Sequence, residues 1–301
     1  MTTPGLTIAA VERDTGLSKD VLRMWERRYG FPTPGRDANG NRLYCDEQVE
    51  RLRMIKRLLD QGYRPRNVVN ASTDDLKSLI ARRSKPADQA VGDHDPVLIE
   101  LLDLLQRHDS THFQQALQRC LAKQGLQRFV KDTLAVLACR VGEAWERGAL
   151  EIFQEHLFTE VTERILRQAI GAVHSSVRRP RIVLTTVPEE QHRLGLLMFE
   201  ALLTLEEAEC IALGAQMPLE DIDRAVRAHQ ADILTLSFSG AFSHRQQPAL
   251  LPRLRALLPS ETAIWAGGSG VLQLAKIEGV LLLKSFDEGL KALTDWTIRH
   301  S

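Results

Sequence analysis

Apolar and polar positions change period along the chain, and the changes divide it into blocks. In residues 6–80, short apolar stripes alternate with polar turns. Thr7 caps a helix through Ile8-Ala9-Ala10-Val11, and Asp14-Thr15-Gly16-Leu17 then turns the chain. Ser18 caps a second helix, Lys19 to Arg28, with Val21, Leu22 and Trp25 as its stripe and Lys19, Arg23, Arg27 and Arg28 on its other face. Residues 84–96 hold two prolines, small residues and no apolar period, which predicts a flexible linker. From Pro96 to about Ser176, apolar residues recur at helical spacing in segments 97–108, 110–123, 126–147 and 150–174, which predicts a four-helix bundle. After Arg179-Pro180, β-rich runs at 181–187, 208–214, 231–238, 262–268 and 279–283 alternate with amphipathic stretches. Apolar strands alternating with helices predict a parallel sheet covered on both faces, with a ligand site at the carboxyl ends of the strands.

Composition adds location and a polarity of charge. The 301 residues are 44% hydrophobic and 26% charged, ordinary for a soluble chain of two or three domains. No run approaches the roughly 18 apolar residues that span a bilayer, and MTTPGLTIAA lacks a secretory layout, so the expectation is cytoplasmic with no membrane partner. Cys45, Cys120, Cys139 and Cys210 lie far apart without metal-ligand spacing, as scattered reduced thiols do. Net charge is zero overall, yet residues 1–85 carry 17 Lys and Arg against 11 Asp and Glu, and the remainder is acidic in compensation. A basic head on an acidic body fits a chain that meets phosphate at one end.

The head's chemistry agrees. A short basic helix after a tight glycine turn suits a major groove about 12 Å wide. The Asn39-Gly40 pair signals a hairpin, so residues 35–45 are expected to form a two-stranded wing that brings Arg36, Arg42 and Tyr44 to phosphates. The string LRMWERRYGFPTPGRDANGNRLY resembles the DNA-binding domain of MerR-family regulators over residues 7 to about 75, with Gln61-Gly62-Tyr63 and the region after it as a second wing. The resemblance implies an operator-DNA contact set of Lys19, Arg23, Arg28, Tyr29, Arg36, Arg42 and Tyr44.

A second constellation follows the strand at 181–187. His192 lies in a polar loop that opens a helix, Glu190 is placed to orient its second ring nitrogen, and Gly195 permits close approach at the helix start. Taken alone, a loop histidine beside glutamates is an ordinary surface residue. Ser237 and Gly267-Gly268, ending later strands at the same sheet edge, open a slot beside it. Glu190-x-His192-x-x-Gly195 resembles the motif of the cobalamin-binding domain shared by corrinoid proteins and one class of MerR regulators. That resemblance implies His192 as the lower axial cobalt ligand and a cofactor tail near Ser237, Gly267 and Gly268. Ser239 stands where the family's S-x-L pattern has leucine.

In the helical block, Trp145 precedes Glu155-His156 by a spacing that puts them about three turns apart on neighbouring faces of a helix. The W-x9-E-H pattern is similar to that of light-sensing, adenosylcobalamin-dependent MerR regulators of the CarH/LitR type. It implies that Trp145 packs over the adenosyl group with Glu155 and His156 nearby. Glu146 stands where some of these sensors have an upper axial histidine.

The expected fold is thus multidomain, α plus α/β. It comprises a winged helix-turn-helix head (1–83), a linker (84–96), a four-helix bundle cap (97–178) and a Rossmann-like (flavodoxin-like) parallel-sheet cobalamin-binding domain (179–301). The expected function is a cobalamin-dependent, light-responsive regulator, a repressor by the resemblance and not an enzyme. It is expected to bind double-stranded operator DNA as a homo-oligomer, dimer or tetramer. Two alternatives stand beside it: a regulator of the same build that answers to a protein partner or another ligand, and a corrinoid carrier for methyl transfer.

Overall fold

Polar caps start the first helices, and glycines end them. The computed structural model describes residues 5–37, 40–60, 63–83, 95–173, 178–240, 242, 247–272 and 274–300. These fall into two compact units, Met1–Asp88 and Gln89–Ser301. Most of the linker expected at 84–96 lies outside the described residues.

In the first unit, β1 (Leu6–Thr7) leads into α1 (Ile8–Thr15), where the Thr7 hydroxyl accepts from the Ala10 amide. Ser18 accepts from the Val21 amide to start α2 (Lys19–Tyr29), which ends at Gly30 with φ of 70°. β2 (Gly35–Arg36) and β3 (Arg42–Tyr44) pair antiparallel around the turn that includes Gly40; Asn39 lies outside the described residues. β1 joins the other edge of β3, so the wing expected with two strands has three. α3 (Asp46–Asp60), α4 (Pro65–Val68) and α5 (Thr73–Arg83) follow. Where the second wing was expected, Gln61 and Gly62 lie outside the described residues, and the chain beyond them forms a turn and the short α4. Val11, Leu22, Trp25, Leu52, Ile55 and Leu76 fill this unit's own core.

In the second unit, Asp95 caps α6 (Pro96–Gln106) and Asp109 caps α7 (Ser110–Arg128). Gly125 breaks α7 at φ 74°, and a π-helical turn, Phe129–Leu134, leads into α8 (Ala135–Glu146) and then α9 (Ile152–Ala172). The alternating part runs β4 (Arg178–Thr185), α10 (Leu194–Leu205), β5 (Ala208–Gly214), α11 (Leu219–Ala228), β6 (Ile233–Ser237), α12 (Gln247–Leu257), β7 (Ala263–Gly267), β8 (Val280–Leu283) and α13 (Phe286–His300). The five strands are all parallel in the order β5-β4-β6-β7-β8, the flavodoxin-like arrangement expected.

α10 explains why the bundle and the sheet form one unit. Its Leu196, Phe199 and Leu203 pack on the sheet, while Leu197, Met198, Ala201 and Leu202 join the bundle core. A helix apolar on nearly every side is buried on both.

The loops beyond β6 and β7 are packed backbone to backbone. A side chain at Gly268 (φ 95°) would place its Cβ 2.3 Å from the Phe238 carbonyl oxygen. Gly268→Ala should therefore destabilise the second unit by about 2–4 kcal/mol, combining backbone strain with overpacking. Thermal melts of the two proteins check this; an unchanged midpoint would refute it.

Candidate functional site

The order of the sheet reverses at β4, whose neighbours are β5 on one side and β6 on the other. At such a switch point, loops leaving the carboxyl ends of neighbouring strands turn to opposite faces, and the crevice between them is where open parallel sheets bind ligands. Residues 186–193 form the first of these loops. The Thr186 hydroxyl ties it down, donating to the Glu190 carbonyl (2.5 Å) and accepting from the Gln216 amide (2.8 Å).

Glu190 is 1% exposed. Its Oε1 accepts from the His192 amide (2.9 Å) and lies 2.8 Å from His192 Nδ1. Its Oε2 accepts from the Ser239 amide (2.7 Å) and the Ser239 hydroxyl (2.9 Å). The Ser239 oxygen is also 3.0 Å from His192 Nδ1. Burial alone would raise the Glu190 pKa. The hydrogen bonds from the His192 ring, the Ser239 amide and the His192 amide outweigh it and hold the carboxyl below its ordinary range. An ionised carboxylate only accepts, so the imidazole donates through Nδ1, and Nε2 is the ring nitrogen that a metal would take. The histidine side chain is 62% exposed.

Small residues continue the crevice along one face of the sheet. A Cβ on Gly195 would sit 3.6 Å from the Ser237 hydroxyl, so the start of α10 lies against the end of β6. Ser237 is the register partner of Gly267 on β7. One step inside Ser237 on the same face, the Thr235 hydroxyl is buried with no hydrogen-bond partner among the described residues. A polar group left unmatched in this way fits a ligand with polar atoms entering between α10 and β6. The donor set points the same way: a corrin would bring its own ring nitrogens, and His192 would supply the one imidazole that holds it. The residues present fit that group.

The helical block carries the other residues that the sequence singled out. Trp145 lies partly buried in the last turn of α8, packed against the bundle core. Glu155 and His156 lie in the first turn of α9, joined by a 2.9 Å contact from His156 Nδ1 to Glu155 Oε2. The expected three-turn separation along a helix is therefore corrected. α8 stops at Glu146, Gly148 takes φ 74°, and the tryptophan and the Glu-His pair sit on successive helices that pack together. Further along α9, Glu163 forms a two-pronged pair with Arg193, the residue after His192.

The head presents Arg23, Arg27 and Arg28 to solvent along α2. Arg42 of the wing reaches back to Glu26 of α2 at 2.8 Å, Arg36 donates to the Gly40 carbonyl at 2.9 Å, and Lys19 pairs with Glu12 at 3.3 Å. Arg28 lies 5.5 Å over the Tyr29 ring. These contacts hold helix and wing in one arrangement. Tyr44 requires a correction: it is 0% exposed, and burial pushes its phenol pKa up. As the last residue of β3 its ring packs into the core, so it supports the wing rather than presenting a hydroxyl to phosphate.

The sequence reading missed Ser239 as a donor to Glu190. A hydroxyl just past a strand end beside the histidine loop was the available signal. The Glu163–Arg193 pair had none, because thirty residues separate its members.

A winged helix-turn-helix head and a switch-point crevice with a carboxylate-oriented histidine define a cobalamin-binding transcriptional regulator. Residues 6–72 match the family described as MerR HTH family regulatory protein, and residues 97–170 match the B12 binding domain. The chain is 33% identical to the HTH-type transcriptional repressor CarH of Myxococcus xanthus over 84% of its own length and 85% of that protein. It is 26% identical to CarA of the same organism, over 90% and 89% of the two lengths. The monomethylamine corrinoid protein of Methanosarcina barkeri shares the fold, with a TM-score of 0.54 and 16% identity over 66% of this chain and 97% of that one. The chain belongs to the MerR-type transcriptional regulators with a B12-binding domain, the family of CarH and CarA. No helix among the described residues is long and apolar enough to cross a membrane.

Because Glu190 sits below its ordinary value of 4.5 in the fold, it adds stability that is complete above that value and is lost as pH falls through the lowered one. Glu190→Gln should therefore melt well below the parent at pH 7, with the gap narrowing below about pH 4. Melting curves across that range decide it; a gap independent of pH would show that the carboxylate's charge contributes nothing.

Proposed function

We propose that the chain is a light-responsive, adenosylcobalamin-dependent repressor that binds operator DNA in the cytoplasm as a homo-oligomer, dimer or tetramer. The observation that carries this reading is the Glu190–His192–Ser239 network, which fixes one imidazole at the switch point of the sheet. Relationship to a protein named as a repressor supports the direction of regulation.

In this reading His192 would hold the cobalt through Nε2. Glu190 keeps the proton on Nδ1, and Ser239 holds Glu190 in place. Gly195, Ser237, Gly267 and Gly268 leave room for the cofactor's tail, and Thr235 offers it a hydroxyl. Trp145, Glu155 and His156 would cover the cofactor from the helical block and exclude water there. When bound, adenosylcobalamin supplies a cobalt–carbon bond that light cleaves. Trp145, Glu155 and His156 would pack differently with and without the adenosyl group, and that difference would bias the balance between oligomers. In the head, Lys19, Arg23, Arg28, Tyr29, Arg36 and Arg42 meet the operator. The division of labour follows a head of 1–83, a bundle of 97–178 and a sheet domain of 179–301.

The test is the absorption spectrum of the full chain reconstituted with adenosylcobalamin, in the dark and after illumination. The expected result is a bound corrinoid whose bands change irreversibly with light, together with operator protection that differs between the two states. No bound corrinoid at micromolar vitamin would overturn the reading, and light-independent protection would remove the photoresponse. His192→Ala should bind cobalamin about 10–100-fold more weakly while leaving DNA affinity of the cofactor-free chain unchanged.

The head yields its own prediction. Arg23→Ala and Arg28→Ala should each lower the slope of log affinity against log salt by about 0.9 if each side chain neutralises one phosphate. Binding assays at several salt concentrations measure it; parental slopes would place both residues off the interface.

A further inference from the structure

One contact joins the helical block to the residue beside His192. Glu163 lies on α9 with its side chain 7% exposed, and its two oxygens accept from Arg193 Nε and Nη2, both at 2.8 Å. Arg193 follows His192 directly and is the N-cap residue of α10, where it makes no side-chain cap. Its guanidinium instead crosses to the bundle. Glu160, one turn earlier on α9, adds a second negative charge facing it.

α9 carries more than this carboxylate. His156 precedes Glu163 by seven residues, about two helical turns, and so lies on nearly the same face. Between them, Thr159 donates to Glu155 at 3.0 Å, tying the Glu155–His156 pair into the helix. One continuous helix thus carries the Glu-His pair at its start and the grip on the histidine loop two turns later. A planar two-pronged pair is directional, and separating it leaves a nearly buried carboxylate without its countercharge. Any shift of α9 against the sheet must drag Arg193 with it or break the pair.

We propose that Glu163 and Arg193 form a latch that positions the axial-histidine loop against α9. The latch acts on the site assigned above and rests on that reading. Arg193 is a positioning residue: it acts through the backbone it shares with His192.

The experiment uses the full chain with Glu163→Gln, Arg193→Lys, Arg193→Gln and the Glu163→Gln/Arg193→Gln double variant. Two quantities are read: the rate of hydroxocobalamin release in the dark, and amide hydrogen exchange of residues 190–194 in the cofactor-free chain. Each Gln variant should release cobalamin about tenfold faster and exchange faster in this loop. The double variant should match the single ones, because both remove one interaction. Arg193→Lys, which keeps the charge and loses the fork, should fall between parent and Arg193→Gln. It also guards against Glu163→Gln simply failing to fold. Unchanged release and exchange, or effects that add in the double variant, would overturn the latch. A parental chain that takes up no cobalamin sinks the proposed function instead, and the exchange measurement still decides the latch.

Discussion

A carboxylate moved out of water loses several kcal/mol of solvation unless its oxygens are refilled with donors. Glu190 meets that demand with two backbone amides, a hydroxyl and an imidazole, drawn from the loops after β4 and β6. Much of the second unit's geometry follows from this one requirement. The two loops must end at the same height, which the parallel register of Thr185 with Leu236 provides. The loop after β7 must close tightly beneath, which Gly268 and Gly270 allow by approaching the backbone of residues 238 and 239. His192 inherits its orientation from this packing rather than from its own loop.

The same unit joins the histidine to the bundle through two further devices. α10 is apolar on both sides, so sheet and bundle share one helix as common core. Glu163 and Arg193 then add a directional contact where the apolar packing has none. Dispersion and burial hold the two layers together without specifying their alignment to better than a side chain. A forked ion pair does specify it. The first keeps the unit folded, while the second can be made or broken.

The head follows a different economy. Its core is its own, and its cations are held by neighbours: Arg42 by Glu26, Arg36 by the Gly40 carbonyl, Lys19 by Glu12. Side chains arranged before contact lose less freedom on binding a duplex. Tyr44 contributes to this arrangement from inside, as a packed ring under the wing.

Local chemistry made a large part of this protein legible from its residues alone. Caps at Thr7 and Ser18, the β-rich runs and the spacing of Glu190, His192 and Gly195 act over a few residues, so their consequences are written where they stand. The alternation of apolar runs likewise implied a parallel sheet, and the strands are all parallel. Other features depended on which distant segments meet. Ser239 became a donor to Glu190 because β6 lies beside β4, and β1 became a third strand of the wing because the fold returns it to β3. The pairing of Glu163 with Arg193 likewise belongs to packing. A hydrogen bond or ion pair needs atoms within about 3 Å, and across thirty or fifty residues of chain only the tertiary structure decides which atoms those are.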